Sequence, residues 1–290
     1  MSDASVPTAV VTGATRGIGA AVAERLVRGR YRVVIVGRNA ERCEAMRRRL
    51  AALGGPAPPE PVVVDLTRIG DARSAAVRIR AAHPSLRLLV NNAGALFARR
   101  HETVEGHENT YALNVLAPFV LTHGLAPALA ASGGGARVVN VASEAHRRAH
   151  LDLSELEARH RYSGFRAYSR SKLALILLTY AFSRRWPAGQ IAFFAVHPGF
   201  VRSAFGQNDP GALALLLRAG MMLGISPERA ARTVGYAATS ERLEGLTGRY
   251  VRGERLARSS PRSLDAGMAE RLWEEVERSV GGPAPVVGVP

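Results

Sequence analysis

The sequence predicts an α/β protein whose parallel sheet is covered by helices on both faces. Short apolar runs of strand length alternate with longer helical patterns, and this alternation is typical of parallel strands that are joined through helices. The 290 residues, of which 47% are hydrophobic, suffice for one large core. Because no internal repeat or domain break is visible, we expect a single domain over residues 1–290, with a loose tail at 281–290.

The predicted elements follow this alternation in order. Each expected strand is a short run of apolar, often β-branched residues, at 8–12, 32–36, 62–66, 86–90, 136–141, 191–196 and near 248–252. Helices are expected at 20–28, 40–53, from near 67, and at about 104–131, 166–185, 208–224, 227–239 and 263–280. The range 54–61 is rich in Pro and Gly and is expected to be a loop.

Composition limits the function classes. The net charge is +15, but the Arg residues are spread over nearly every segment and interleaved with Glu. This distribution argues against nucleic-acid binding and favours a basic cleft that attracts a phosphorylated cofactor. The single cysteine, Cys43, excludes an intrachain disulfide, and no Cys-based metal site is visible. Without a signal-peptide pattern or about 20 uninterrupted apolar residues, we expect a cytoplasmic protein with no integral membrane segment.

A candidate acid/base pair lies in the helix predicted at 166–185. Tyr168 and Lys172 are four residues apart, so their side chains share one helix face. A close ammonium favours the phenolate and lowers the pKa of a phenol, which makes the pair a candidate general acid/base. Lys172 is also the only lysine among the 39 basic residues, which indicates a position that needs a compact ammonium rather than a guanidinium. The alternative is a surface tyrosine with a basic neighbour.

A glycine-rich turn joins the first strand to the first helix. Gly13, Gly17 and Gly19 allow backbone N–H groups to approach a pyrophosphate, and the helix N-terminus adds its positive end. A tight strand-to-helix connection is the alternative interpretation. The second strand ends at Arg38, where an acid would select NAD and an Arg accommodates the 2′-phosphate of NADP. With Arg16 as a second phosphate contact, we predict NADP(H); surface charge is the alternative for either Arg alone.

Three further strand ends and one helix carry polar residues. Asp65 ends the third strand, where it could meet the adenine edge or equally cap the helix that begins near Thr67. The fourth strand ends in the sequence NNAG at 91–94, which suits backbone contact with a cofactor. Ser143 follows the fifth strand. Asn114 lies among apolar residues of a predicted helix and needs hydrogen-bonding partners there.

These motifs together resemble a known family. Over about residues 6 to 280, the sequence resembles the classical-type short-chain dehydrogenase/reductases in the order and spacing of its motifs. These motifs are TGATRGIG at 12–19, NNAG at 91–94, Asn114, Ser143, YSRSK at 168–172 and HPG at 197–199. Three further stretches resemble the branch of the retinol dehydrogenases and WW-domain oxidoreductase. They are VVNVASEAHRRAHLDLSEL, AYSRSKLALILLTY and RLWEEVERSVG. The resemblance implies a Rossmann fold with a seven-stranded parallel sheet in the order 3-2-1-4-5-6-7.

The resemblance also implies residue roles. Tyr168 would be the acid/base, and Ser143 would hold the substrate oxygen. Lys172 would bind the nicotinamide ribose and lower the pKa of Tyr168, while Asn114 would anchor a water in a proton relay from Lys172. The predicted cofactor contacts are Gly13, Thr15, Arg16, Gly17, Ile18, Gly19, Arg38, Asp65, Leu66, Asn92, Ala93, Gly94, Tyr168, Lys172, Pro198, Gly199 and Val201.

We therefore expect an NADP(H)-dependent enzyme that interconverts a carbonyl and an alcohol. The apolar helix at 208–224, within a predicted lid at about 200–226, favours a bulky apolar substrate such as a polyketide, terpenoid, steroid or long-chain carbonyl. That helix could equally be an ordinary core helix or a peripheral membrane contact. The alternative functions are a non-redox cyclase or epimerase with structural NADP, and an NADP-sensing binding protein. By resemblance, two long helices would pair subunits in a homodimer or homotetramer.

Overall fold

The computed structural model describes residues 6–201 and 224–282, which build one sheet of eight strands. The strands are β1 (Thr8–Thr12), β2 (Arg32–Gly37), β3 (Glu60–Val63), β4 (Leu88–Asn91), β5 (Ala136–Val141), β6 (Ile191–His197), β7 (Arg249–Arg252) and β8 (Leu256–Ala257). Their order is β3-β2-β1-β4-β5-β6-β7-β8, with β1 to β7 parallel and β8 antiparallel to β7. The fold is a Rossmann-like α/β sheet. The predicted order is confirmed, with one strand more than predicted.

Helices cover both faces of this sheet. They are α1 (Gly17–Arg28), α2 (Ala40–Ala51), α3 (Ile69–Ala82), α4 (Asn109–Ala130), α5 (Gly164–Arg185), α6 (Pro227–Thr239) and α7 (Ala266–Ser279). Successive strand residues point to opposite faces of the sheet and belong to two separate cores. Val10 belongs to the core that includes α3, α4, α5 and α7, whereas Val11 belongs to the core that includes α1, α2 and α6. This period of two is what a strand buried on both faces requires.

Several element boundaries differ from the prediction by one to five residues, and two of these differences have a clear physical reason. The third strand is Glu60–Val63 rather than 62–66 and includes Pro61, which was assigned to a loop. Pro61 is tolerated because β3 is the edge of the sheet, where a missing N–H leaves no ladder bond unmade. The helix expected from about 104 begins at Asn109, because the carboxylate of Glu108 accepts hydrogen bonds from the N–H groups of Thr110 and Tyr111 and caps it there.

Several predictions fall outside the described residues. The apolar helix at 208–224 lies outside them except for Gly224, as does most of the lid predicted at about 200–226. Residues 283–290 of the predicted tail are also outside. At the two ends of the lid range, Ile225 donates its N–H to the carbonyl of Phe200 at 2.7 Å, so these two ends meet.

Helix α4 is the one helix within the described ranges that is long and apolar enough to cross a membrane. Most of it is buried inside the fold, as is usual for a core helix. Residues Ala112–Leu116 form a π turn within it.

Helix α7 forms an outer layer across three helices. At its start, Glu270 pairs with Arg185 of α5. In its middle, the Trp273 ring lies 4.9 Å from the Phe119 ring of α4. Directly after its end, the carbonyl of Val280 accepts a hydrogen bond from Arg73 of α3. The chain's own helix therefore covers part of the α4 and α5 surface through which subunits were expected to pair.

Candidate active site

The four predicted catalytic residues meet at the carboxyl edge of the sheet. Ser143 lies two residues after the end of β5, and its hydroxyl is hydrogen-bonded to that of Tyr168 on α5. One turn further along α5, the Nζ of Lys172 lies 5.6 Å from the centroid of the Tyr168 ring. A Cβ placed on Gly94 would lie 3.1 Å from the Oδ1 of Asn114 and 3.2 Å from the Nζ of Lys172, so Asn114 completes the group.

Asn114 links the end of β4 to α5. Its Oδ1 accepts the N–H of Ala95, and its Nδ2 donates to the carbonyl of Ala95, both at 3.0 Å. The same Nδ2 donates to the hydroxyl of Ser171 at 2.9 Å, and this hydroxyl donates to the carbonyl of Tyr168. Asn114 is fully buried, so these bonds supply the partners that the sequence required. Its part in a proton relay stays a prediction.

Burial controls the ionisation of the acid/base pair. It raises the pKa of Tyr168 to about 12, with the hydrogen bond from Ser143 acting in the opposite direction. It lowers the pKa of Lys172 to about 8. The expected lowering of the Tyr168 pKa by Lys172 is therefore not found. The physical reason is that the ammonium donates to the carbonyl of Val141 at 2.8 Å, while burial of the phenol disfavours its charged form.

Larger residues are disfavoured in the glycine turn by the backbone angles of Gly13 and Gly17 and by close contacts at Gly19. Gly13 and Gly17 have φ angles of +64° and +55°, which favour glycine. A Cβ on Gly19 would lie 2.3 Å from the carbonyl oxygen of Gly13. The Nδ2 of Asn92 donates to the carbonyl of Thr12 at 2.8 Å, and the hydroxyl of Thr12 accepts the N–H of Asn92 at 2.9 Å. No side chain among the described residues caps the start of α1, so its first N–H groups have no capping side-chain acceptor there, as binding of a pyrophosphate requires.

Three exposed arginines beside this turn influence one another electrostatically. The pKa of Arg16 is lowered first by partial burial and then by the guanidinium groups of Arg42 and Arg38. Arg42 was not predicted. The signal was its spacing, because it follows Arg38 by four residues and its N–H bonds to the Oδ1 of Asn39, the N-cap of α2. The start of α2 therefore carries Arg42 back towards the turn.

The predicted residues at the third strand have local partners. The carboxylate of Asp65 accepts hydrogen bonds from the N–H and hydroxyl of Thr67 at 3.0 and 2.8 Å, so it caps a turn before α3. Helix α3 itself begins at Ile69. Leu66 is 6% exposed and packs in the core. Contact of Asp65 and Leu66 with the adenine stays a prediction.

A cavity of about 600 Å³ opens above the catalytic residues. Its lining brings together predicted residues from both halves of the chain, which are Ile18, Asn92, Gly94, Ser143, Tyr168, Lys172, Pro198, Gly199 and Val201. Leu96, Phe165 and Phe200, which were not predicted, add apolar surface. The volume lies in the range of small-molecule sites.

Two residues after Ser143 were also missed. The carboxylate of Glu144 accepts a hydrogen bond from the hydroxyl of Tyr250 at 2.8 Å and pairs with Arg147. His146 is fully buried and contacts the carbonyl of Ser143. Nothing in the composition of this stretch marks His146 as buried.

Comparison with known proteins agrees with this site. Residues 7–212 match the family model described as short chain dehydrogenase. The chain belongs to the short-chain dehydrogenase family. This dehydrogenase is 34% identical over 278 residues to a protein of Streptomyces sp. (strain C5) named as a candidate daunorubicin C-13 ketoreductase, with 96% of this chain and 93% of that protein covered.

Further similarities indicate the branch of the family. The dehydrogenase is 32% identical over 294 residues to retinol dehydrogenase 13 of Homo sapiens, covering 99% of this chain and 88% of the relative, and it belongs to the retinol dehydrogenase branch. A solved structure, the RhlG/NADP active-site complex of Pseudomonas aeruginosa, has a TM-score of 0.67 at 27% identity and covers 91% of this chain and 96% of its own.

Proposed function

We propose that this short-chain dehydrogenase interconverts a carbonyl and an alcohol with NADP(H) as cofactor and a bulky apolar molecule as substrate. The observation that carries the proposal is the hydrogen-bonded pair of Tyr168 and Ser143 at the floor of an apolar cavity, with Lys172 beside it. These groups can orient and protonate an oxygen atom, which is the chemistry that carbonyl reduction requires of the protein.

The residues at the glycine turn fit a dinucleotide. Because Gly13 and Gly19 carry no side chains, a pyrophosphate can approach the backbone of the turn. Gly94 likewise leaves space beside Asn114 and Lys172. The nicotinamide, when bound, supplies the hydride in reduction or accepts it in oxidation. Pro198 and Gly199 would line its pocket. No larger residue fits at Gly199, because its φ of +103° favours glycine and because a Cβ there would collide with the side chain of Ile225.

The protein's own task is to place and move one proton. Ser143 would donate a hydrogen bond to the substrate oxygen and stabilise negative charge that develops there. Tyr168 holds its proton over the physiological range because burial raises the pKa of its phenol. It would therefore act as the acid in reduction. The Lys172 ammonium, 5.6 Å from the centroid of the Tyr168 ring, would bind the ribose of the nicotinamide.

The arginine group supports NADP over NAD. Three positive charges lie close together, on Arg16, Arg38 and Arg42. Within the described residues, the charged groups that shift the pKa of Arg16 are the cations Arg42 and Arg38. Like charges repel, so their convergence costs stability unless an anion joins them. The 2′-phosphate of NADP is an anion that a guanidinium binds bidentately.

The cavity supports an apolar substrate. Leu96, Phe165 and Phe200 line it, and Phe165 and Phe200 are 38% and 58% exposed. Apolar side chains that face an open cavity suit a ligand that covers them. Two relatives are named for a daunorubicin ketone and for retinol, which are both large molecules.

The test is turnover of a carbonyl panel with NADPH and NADH, followed by absorbance of the reduced nicotinamide. The panel contains retinal, a polycyclic aromatic ketone and short polar ketones. We expect oxidation of NADPH with the large members, and loss of turnover in Tyr168→Phe by about 10²- to 10⁴-fold with NADPH binding retained. Product formed without an absorbance change would favour the cyclase or epimerase alternative. Tight NADPH binding with no turnover of any substrate would favour a sensor.

A further inference from the structure

His146 joins the catalytic serine to a distant part of the chain. Its ring is fully buried, and its Nδ1 lies 2.6 Å from the carbonyl oxygen of Ser143. On the other side of the ring, the Nε2 accepts a hydrogen bond of 3.0 Å from the backbone N–H of Ser260. One side chain therefore bridges the loop after β5 and the segment that follows β8.

These two contacts define the tautomer of the ring. A carbonyl oxygen can only accept and a backbone N–H can only donate, so the Nδ1 carries the proton and the Nε2 carries none. Burial, the largest influence, lowers the pKa of His146, which keeps the ring neutral. A protonated ring would turn a second N–H towards the N–H of Ser260 and lose that bond.

Ser143 depends on this bridge for its orientation. Its carbonyl accepts both the ring Nδ1 and the backbone N–H of His146, the latter at 3.1 Å. Its hydroxyl accepts the N–H of Ala145 at 3.2 Å and is hydrogen-bonded to Tyr168. The carbonyl and the side chain share one α-carbon, so a displacement of this peptide group that carries the α-carbon with it would move the hydroxyl relative to Tyr168.

The segment on the far side of His146 is itself held in place. The hydroxyl of Ser263 donates to the carbonyl of Ser260 at 2.6 Å and lies within hydrogen-bond distance, 2.8 Å, of the hydroxyl of Ser259. Ser259 in turn bonds to the hydroxyl of Tyr180 on α5, the helix that carries Tyr168. The bridge thus connects Ser143 to a structure that is already attached to the catalytic helix.

Two other contacts join the same two segments but do not reach Ser143. The guanidinium of Arg147 donates to the carbonyl of Arg258, and that of Arg262 donates to the carbonyl of Ala149. Both arginines are exposed, whereas His146 is buried. The two segments are therefore held together by more than His146. The contact between Ser143 and the segment 258–263, in contrast, is made through His146.

We propose that His146 is a positioning residue for catalysis. As the neutral Nδ1–H tautomer, it holds the Ser143 peptide group against the segment 258–263 and thereby sets the direction of the Ser143 hydroxyl towards Tyr168. The proposal rests on the proposed function, in which Ser143 orients the substrate oxygen. It predicts that loss of the bridge lowers kcat while the affinity for NADPH stays unchanged, because the cofactor residues are not part of the bridge.

Ser260 allows a sharp test of the bridge. Its φ is −70°, which proline adopts, so Ser260→Pro breaks the bridge by replacing the N–H with a ring carbon that faces the Nε2 of His146. Ser260→Ala keeps the N–H and loses only a hydroxyl whose distance to the Ser263 hydroxyl is 3.4 Å. We expect kcat to fall by about 10- to 100-fold in the proline variant and to stay near wild type in the alanine variant. The Kd for NADPH should stay unchanged in both.

Variants of His146 test the other end. His146→Phe keeps a planar ring without nitrogen and should lower kcat by about 10- to 100-fold. His146→Asn keeps a donor near the Ser143 carbonyl and should recover part of that loss. His123→Phe is the matched control, since His123 lies among Phe119 and Trp273 and its Nε2 has no partner within the described residues. Its kcat should equal that of the wild type.

A kcat within about twofold of wild type in Ser260→Pro or His146→Phe would overturn the proposal. Equal losses in Ser260→Pro and Ser260→Ala would also overturn it. If His146→Phe does not fold, the Ser260 pair decides. If the wild-type enzyme turns over no carbonyl with NADPH, the proposed function fails instead. Nitrogen NMR of the histidine rings then tests the bridge independently, and a protonated Nε2 on His146 would refute it.

Discussion

The Nζ of Lys172 donates a hydrogen bond of 2.8 Å to the carbonyl oxygen of Val141, the last residue of β5. This contact fixes the ammonium at the sheet edge, two residues before Ser143. Lys172 is 4% exposed, and the site gives it a carbonyl to bind and only limited space beside Gly94. A guanidinium is larger, planar and forked, and the same space cannot hold it without moving Gly94 or Asn114.

Lys172→Arg should therefore be nearly inactive although it preserves the charge. We expect kcat to fall by about 10²- to 10⁴-fold in steady-state reduction of the best carbonyl. Arg170→Lys is the matched control, because it places a lysine two residues away on the same helix, where the guanidinium bonds to the carbonyl of Glu155. Its rate should stay near wild type. Comparable activity in Lys172→Arg would show that charge alone is enough.

The pH dependence of reduction should reflect Lys172. Burial lowers the pKa of Lys172 to about 8, so the free enzyme carries the ammonium below that pH and loses it above. Tyr168 keeps its proton because burial raises its pKa to about 12. We expect kcat/KM for carbonyl reduction to be flat below about pH 8 and to fall about tenfold per pH unit above it. A profile still flat at about pH 10 would contradict this assignment of the titrating group.

Arg42 should discriminate between the two cofactors. Arg42→Ala should raise the KM for NADPH by about 10- to 100-fold, since a charge-assisted hydrogen bond contributes about 1.5–3 kcal/mol. The KM for NADH should not change. The control is Arg48→Ala, an exposed arginine further along α2. Equal effects of Arg42→Ala on both cofactors would place Arg42 away from the 2′-phosphate.

Trp273 should contribute strongly to stability through the outer helix α7. It is 6% exposed, and its ring contacts Phe119, Phe182 and the guanidinium of Arg185. Trp273→Ala should lower the free energy of unfolding by about 3–5 kcal/mol in urea titrations. Arg271→Ala, an exposed substitution on the same helix, should change it by less than about 0.5 kcal/mol. A small effect of Trp273→Ala would mean that α7 packs loosely.

Much of the fold could be predicted because its signals are local. The seven parallel strands are apolar runs, and their order follows from the family resemblance. The eighth strand, Leu256–Ala257, is two residues long and carries no alternation to detect. The limits of β3 were wrong because Pro61 argues for a loop until its place at the sheet edge is known.

The site was predictable where spacing within one element carries the information. Tyr168 and Lys172 share a helix face, and the glycines mark one turn. Arg42 and His146 were missed because their roles depend on contacts between separate segments. Composition cannot show that His146 is buried against Ser260. The ionisation of Tyr168 was also misjudged, because the sequence shows the neighbouring charge but not the depth of burial.

The π turn Ala112–Leu116 has a consequence for the phase of α4. A π turn holds one residue more than an α turn, so the helix beyond it is rotated by about 100° relative to an uninterrupted α-helix. That rotation brings Phe119 to face Trp273 while Asn114 faces Ala95. Deletion of one residue here would leave a regular helix whose two halves could not both keep their partners. The number of residues between Asn114 and Phe119 is therefore as constrained as the two residues themselves.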